Sequence, residues 1–174
     1  MLYFMKPLPE NEIDTADWKP FIKNNWFRNN FMYFVYCLQL MLIILSIIFN
    51  VWHSSNIFIK IGLFICVFII HEILHLIVVF KTGDISITHS GIFFWITPGA
   101  ILSKSRFLVF MSLPFIGLTV IPAILCIPLS GELKDITVYA VWVNSIIAGA
   151  DIINSVLIAI KPNNSLFYRG YYKL

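Results

Sequence analysis

The sequence predicts an all-α membrane protein: four transmembrane helices, with a membrane-associated β-hairpin on the cytosolic side between helices 2 and 3. Three observations predict it. Hydrophobic residues fill 59% of the 174 positions against 12% charged, and the mean hydropathy of +0.86 belongs to a chain whose main solvent is lipid. Four apolar runs each reach the roughly 20 residues that a helix needs to cross the hydrocarbon core. Lys and Arg gather in the segments that lie on one side of those runs.

The runs are Phe31 to Trp52, Asn56 to Phe80, Phe107 to Ser130 and Ile136 to Ile160. The third carries Pro114, Pro122 and Pro128, so a kink is expected in it. The short links His53 to Ser55 and Gly131 to Asp135 make their flanking helices antiparallel neighbours. The first long apolar run begins only at Phe31 and is long enough to span, so a cleavable signal peptide is not expected.

Orientation follows from the basic residues. Lys6, Lys19, Lys23 and Arg28 precede the first run, Lys81, Lys104 and Arg106 lie in the middle connection, and Lys161, Arg169 and Lys173 follow the last. With four spans these regions share one side, opposite only Lys60 and Lys134, and the positive-inside rule makes both termini cytoplasmic. The chain then divides into a cytoplasmic arm (1–30), a four-helix membrane domain (31–160) and a cytoplasmic aromatic and basic tail (161–174). Pro7, Pro9 and Pro20 suggest an arm with little fixed structure before Trp18, while Trp18, Trp26, Phe27, Tyr168, Tyr171 and Tyr172 suit an interfacial belt. A net charge of +3 gives no ground for a nucleic-acid partner, and the lipid bilayer is the expected one. Cys37, Cys66 and Cys126 sit in apolar runs without CxxC spacing and read as buried packing thiols.

In the middle connection, "DISITHSGIFFWITPG" alternates Ile85 and Ile87 with Ser86 and Thr88, turns at Ser90 and Gly91, and continues through the β-formers Ile92 to Thr97. This is the hairpin. It is too apolar for a solvated loop and is expected to dip against the helices, where protein satisfies its backbone.

Chemistry concentrates at "IIHEILHLIVVF". His71, Glu72 and His75 form an HExxH motif, in which positions i and i+4 stand about 40° apart around a helix and one turn apart along it, so both imidazoles can reach one ion. Zinc is the metal such a pair expects, and Glu72 would act as general base on a water held there. Composition alone gives on the order of 0.002 accidental HExxH matches in this chain. Intramembrane charge is costly enough to make these residues functional candidates.

The third ligand is expected to be Asp151, the only other acidic residue inside a predicted span. His71, His75 and Asp151 all lie five to nine residues from the cytoplasmic end of their runs, roughly 7 to 14 Å deep at about 1.5 Å per residue, so they can meet. Asn144, seven positions before Asp151, either holds substrate backbone or polarises a carbonyl, or it only bonds between helices. Asn154 and Ser155 could orient the carboxylate or likewise serve packing alone. His89, at the hairpin tip, is an alternative ligand or an exposed loop residue.

HEILH in one membrane helix, a cytosolic-side hairpin, and Asn144 with Asp151 in a later helix together resemble the site-2 protease type of intramembrane zinc metalloprotease. Within that type the chain looks most like the compact bacterial zincin peptidases of the DUF3267 family, over roughly Asn56 to Ile160. The resemblance implies zinc on His71, His75 and Asp151, a water activated by Glu72, and a bacterial cell-membrane enzyme that cleaves membrane-embedded or signal-peptide-like substrates. No PDZ-like domain accompanies it, so a substrate filter of that kind would come from a separate regulatory membrane protein or from the spans. An edge of the hairpin, with Ile87 as its marker, would hold the unwound substrate by β-augmentation. The competing expectations are a noncatalytic metal-binding membrane scaffold or immunity-type protein, and an ion transporter, which one site in four helices makes a poor fit.

Overall fold

Helices dominate the described residues of the computed structural model, and seven strands among those residues build two sheets, so the expected all-α class is corrected to a helical protein with two small sheets. The structure describes residues 1–8, 17–52, 56–90 and 93–174. Three helical stretches are long and apolar enough to cross a membrane: α2 (Phe31–Ile48), α3 (Ile57–Val79), and Lys104–Leu125. Only 11 to 17% of their apolar windows is buried, and helices that are apolar all round with so little protein against them mark a membrane protein.

The expected fourth span is not one helix. It is α6 (Gly131–Ile147) followed by α7 (Gly149–Ala159), bent by 62° at Ala148. Residues Gly131 to Asp135, expected to be a link, begin α6 instead, where Glu132 lies in the first turn and favours the positive helix start. The break has a visible support. Gln39 of α2 reaches across, its Nε2 donating to the Ile146 carbonyl at 3.0 Å, and thereby satisfies an acceptor that the interrupted helix cannot. Gly149 makes room for it, since a Cβ there would stand 3.0 Å from Gln39 Cγ.

The proline-bearing third run holds α4 (Lys104–Phe115), a π-helical turn (Ile116–Val120) and α5 (Ile121–Leu125). Pro114 lies inside α4, two residues before the π turn begins, so two irregularities stand close together. Helix α4 packs on α3, α6 and α7, and α2 packs on α6 and α7. A short helix, α1 (Asn25–Asn29), capped by Asn24, leads into α2.

The first sheet has the order β1 (Leu2–Phe4), β3 (Ile85–Ser90), β4 (Phe93–Pro98). Its β3–β4 pair is the hairpin read from the sequence, with Ile87 opposite Ile96; of the expected turn, Gly91 lies outside the described residues, as do Pro9 of the arm and the His53 to Ser55 link. Strand β1 joins β3 in parallel, so the arm is ordered at its start. The second sheet runs β2 (Lys19–Pro20), β7 (Tyr171–Lys173), β6 (Leu166–Tyr168), β5 (Leu102–Ser103) and ties both ends of the chain to the start of α4. Trp18, Tyr168 and Tyr172 are buried around it rather than facing an interface, and Phe21, Ile158, Phe167 and Tyr172 form its core. Lys104 Nζ donates to the Ala159 carbonyl at 2.9 Å and closes the C-terminal end of α7. Cys126 is buried, whereas Cys37 and Cys66 are exposed on the apolar helix faces, which corrects their reading as interior thiols.

Candidate metal centre

Helix α3 presents His71 and His75 one turn apart, their ring centroids 5.0 Å from each other, both nearly inaccessible. Asp151, in the first turn of α7, meets them. Its Oδ2 lies 3.0 Å from His71 Nε2 and 3.2 Å from His75 Nε2. The bend at Ala148 matters here, because it places the carboxylate at the start of a new helix, where the helix dipole favours negative charge.

The opposite ring nitrogens are also engaged, and their partners fix the tautomers. His75 Nδ1 donates to the Phe110 carbonyl at 2.6 Å, since a carbonyl can only accept. That carbonyl is free because Pro114, four residues on, has no N–H to give it. His71 Nδ1 lies 2.9 Å from Asn144 Oδ1. Asn144 Nδ2 donates to the Pro114 carbonyl at 3.1 Å and to Thr119 Oγ1 at 2.9 Å, so its amide oxygen must face the imidazole, and His71 Nδ1 is again the donor.

With both Nδ1 atoms protonated, a neutral imidazole has a bare Nε2. Two such lone pairs and a carboxylate oxygen then converge, all acceptors, on a space that only a cation or added protons can relieve. The ligand atoms of His71, His75 and Asp151 all lie within 4.8 Å of one another. Two imidazole nitrogens, each held from behind by a second partner, and one carboxylate oxygen match the donor set that zinc takes from protein. The residues fit zinc.

The open side is a cavity of about 510 Å³, walled by α2 at Gln39 and Ile43, α3 at Phe64, Phe68 and Glu72, and β4 at Phe94 to Ile96, with α7 closing it at Ala150, Asp151 and Asn154. Glu72 thus shares the chamber with the three ligands. Strand β4 leans on α3 through Phe94 and Phe68, whose rings lie 5.5 Å apart, one turn before His71.

Other expected residues fall elsewhere. Asn144 is 0% exposed and fully bonded, so it holds His71 and has no surface to offer a substrate. Asn154 lines the chamber, and Ser155 Oγ is buried without a hydrogen-bond partner among the described residues, so it does not hold the carboxylate. Ile87 sits in the middle strand, between Phe4 and Ile96; the sheet's edges are β1 and β4, and of these β4 lines the chamber. His89 contacts Met5 Sδ at 3.3 Å and stays apart from the cluster. Sequence reasoning missed Gln39, Thr119 and the Phe110 carbonyl. The first two carried a signal, as polar side chains inside apolar runs.

No curated protein and no solved structure matches the chain. One family does: residues 64–166, more than half of the chain, match DUF3267, described as "Putative zincin peptidase". The matched segment includes the HExxH motif, the hairpin, the proline-bearing helix with its π turn, and Asp151, and by that match the chain belongs to the DUF3267 family.

Proposed function

We propose that the chain is an intramembrane zinc metalloprotease of the site-2 protease type, a bacterial cell-membrane endopeptidase acting on membrane-embedded or signal-peptide-like substrates. The observation that carries the reading is the convergence of His71, His75 and Asp151 on one point, with each imidazole fixed from behind and Glu72 in the same chamber. The seven strands among the described residues come from the three segments that hold ten of the twelve Lys and Arg residues, which supports both termini and both sheets on the cytoplasmic side.

Zinc, when bound, supplies a Lewis acid for the scissile carbonyl and makes a water nucleophilic near neutral pH. The protein does the rest. The free edge of β4 accepts a substrate segment unwound from its helix, because main-chain hydrogen bonding to a sheet edge exposes carbonyls that a helix hides. Glu72 takes a proton from the attacking water as its oxygen bonds the carbonyl carbon. It then passes that proton to the amide nitrogen as the C–N bond breaks, leaving a carboxyl and an amine. His71, His75 and Asp151 would hold the metal, and the tautomers fixed by Phe110 and Asn144 leave Nε2 free for it.

Glu72→Gln tests the reading against a noncatalytic metal-binding scaffold. In zinc-loaded protein reconstituted with a membrane-spanning reporter, the variant should retain zinc and lose cleavage by about a hundredfold or more. Equal cleavage by Glu72→Gln and the native chain would overturn the assignment of the base.

A further inference from the structure

A second cavity, also about 510 Å³, adjoins the metal chamber, and Trp95, Ile96, Phe110, Met111 and Asn154 line both. The partition is one residue thick at Phe110, whose carbonyl holds His75. One wall is a face of the first sheet. Ser86 opposes Thr97 and Thr88 opposes Trp95 in the β3–β4 register, so these four side chains point the same way, and all four line the cavity. The terminal hairpin β6–β7 and Leu8 of the arm supply the facing walls. The volume lies within the roughly 300–1,000 Å³ usual for ligand sites.

Strand β4 links the chambers: Phe94 lines only the metal side, Trp95 and Ile96 line both, and Thr97 and Pro98 line only the second cavity. A peptide on the open edge of β4 must therefore run from one chamber into the other. Antiparallel pairing is the commoner and slightly stronger mode. Since β4 leads away from the metal as it runs toward Pro98, an antiparallel partner enters through the second cavity and reaches the metal at its C-terminal end. Resting on the metallopeptidase reading above, we propose that this cavity is the binding site for the residues N-terminal to the scissile bond, and that it selects apolar and aromatic side chains. The selection comes from the lining, which is dominated by Phe21, Trp95, Phe107, Phe167, Tyr168 and Tyr171.

Peptidyl hydroxamates, which carry a metal-binding group at the C-terminal end, test the assignment without a known substrate. Affinities of acetyl-Leu, acetyl-Phe-Leu and acetyl-Phe-Phe-Leu hydroxamates are measured by calorimetry on the zinc-loaded full chain in nanodiscs. The native chain and the fillers Ala100→Trp and Thr88→Trp are compared, because both positions line the second cavity and not the metal chamber. The shortest probe should bind all three proteins alike. Each added Phe should tighten binding about tenfold in the native chain, and that gain should vanish in the variants. If one variant does not fold, the other carries the test.

A length-dependent gain that survives both fillers, or a native chain indifferent to length, would overturn the proposal. So would an equal gain from the reverse series, with peptide C-terminal to the hydroxamate, or from acetyl-Lys-Lys-Leu hydroxamate. If the shortest probe fails to bind zinc-loaded protein, the metallopeptidase reading itself falls, and this inference falls with it.

Discussion

Helix α3 and the α6–α7 pair both furnish the candidate metal centre, by opposite means. Helix α3 is continuous over 23 residues and delivers two imidazoles through nothing more than regular i, i+4 spacing. The other pair delivers its residues through a defect: Asn144 stands before the break and Asp151 after it, on helices inclined by 62°. A regular helix can aim side chains only along its own stripe. The bend lets Asn144 reach the back of His71 while Asp151 reaches the front. Opposite both, α4 is irregular too, and its carbonyls at Phe110 and Pro114 serve the site.

The largest test of this contrast removes a ligand from each side. His75→Ala on the regular helix and Asp151→Asn beyond the bend should each reduce bound zinc from about one per chain to near none, as read by metal analysis of detergent-purified protein. Full zinc in Asp151→Asn would mean that the bent pair is scaffolding and that α3 alone makes the site. Next in size is Pro114→Ala. The restored N–H competes with His75 for the Phe110 carbonyl, so a change that improves the helix should weaken zinc binding by about ten- to a hundredfold. Unchanged zinc affinity would show that Pro114 is there for shape alone.

Gln39→Leu probes the bend itself. It leaves the Ile146 carbonyl without its donor in an apolar setting and should cost about 1–3 kcal/mol of stability, measured by unfolding in mixed micelles. Native stability in this variant would mean that the break needs no support from α2.

The same contrast explains what could be read from the sequence. Spacing is periodic and local, so the apolar runs, the HExxH pair and the β3–β4 hairpin all carried a signal, and Asp151 stood out as an acid in an apolar stretch. The broken helix was hinted at only by "AGA" at Ala148 to Ala150, which suits close packing as well as a bend. The remaining strands could not be read. Leu2–Phe4 pairs with residues more than 80 positions away, and β2, β5, β6 and β7 have two or three residues each, too few for alternation to register. The duty of Asn144 was ambiguous for a related reason: sequence locates an amide on a helix face but does not reveal whether the space before it is a cavity or a histidine.

Thr119 offers the finest test. Its hydroxyl accepts from Asn144 Nδ2 at 2.9 Å and stands 3.3 Å from Ser145 Oγ, and it is the π turn that carries it there. Thr119 bonds to none of the three ligands, so its influence on the metal passes through the orientation of Asn144. Thr119→Val keeps the shape and removes the acceptor. The Asn144 amide then loses one of the two bonds that hold its oxygen toward His71, and zinc affinity should fall by about tenfold or less. Thr119→Ser keeps the hydroxyl and should restore it. A purely packing role predicts the reverse ranking, since valine fills the site better than serine. Equal zinc affinity in the native chain and Thr119→Val would show that the Pro114 carbonyl suffices to orient Asn144, and the irregularity needed to build the site would shrink to the proline alone.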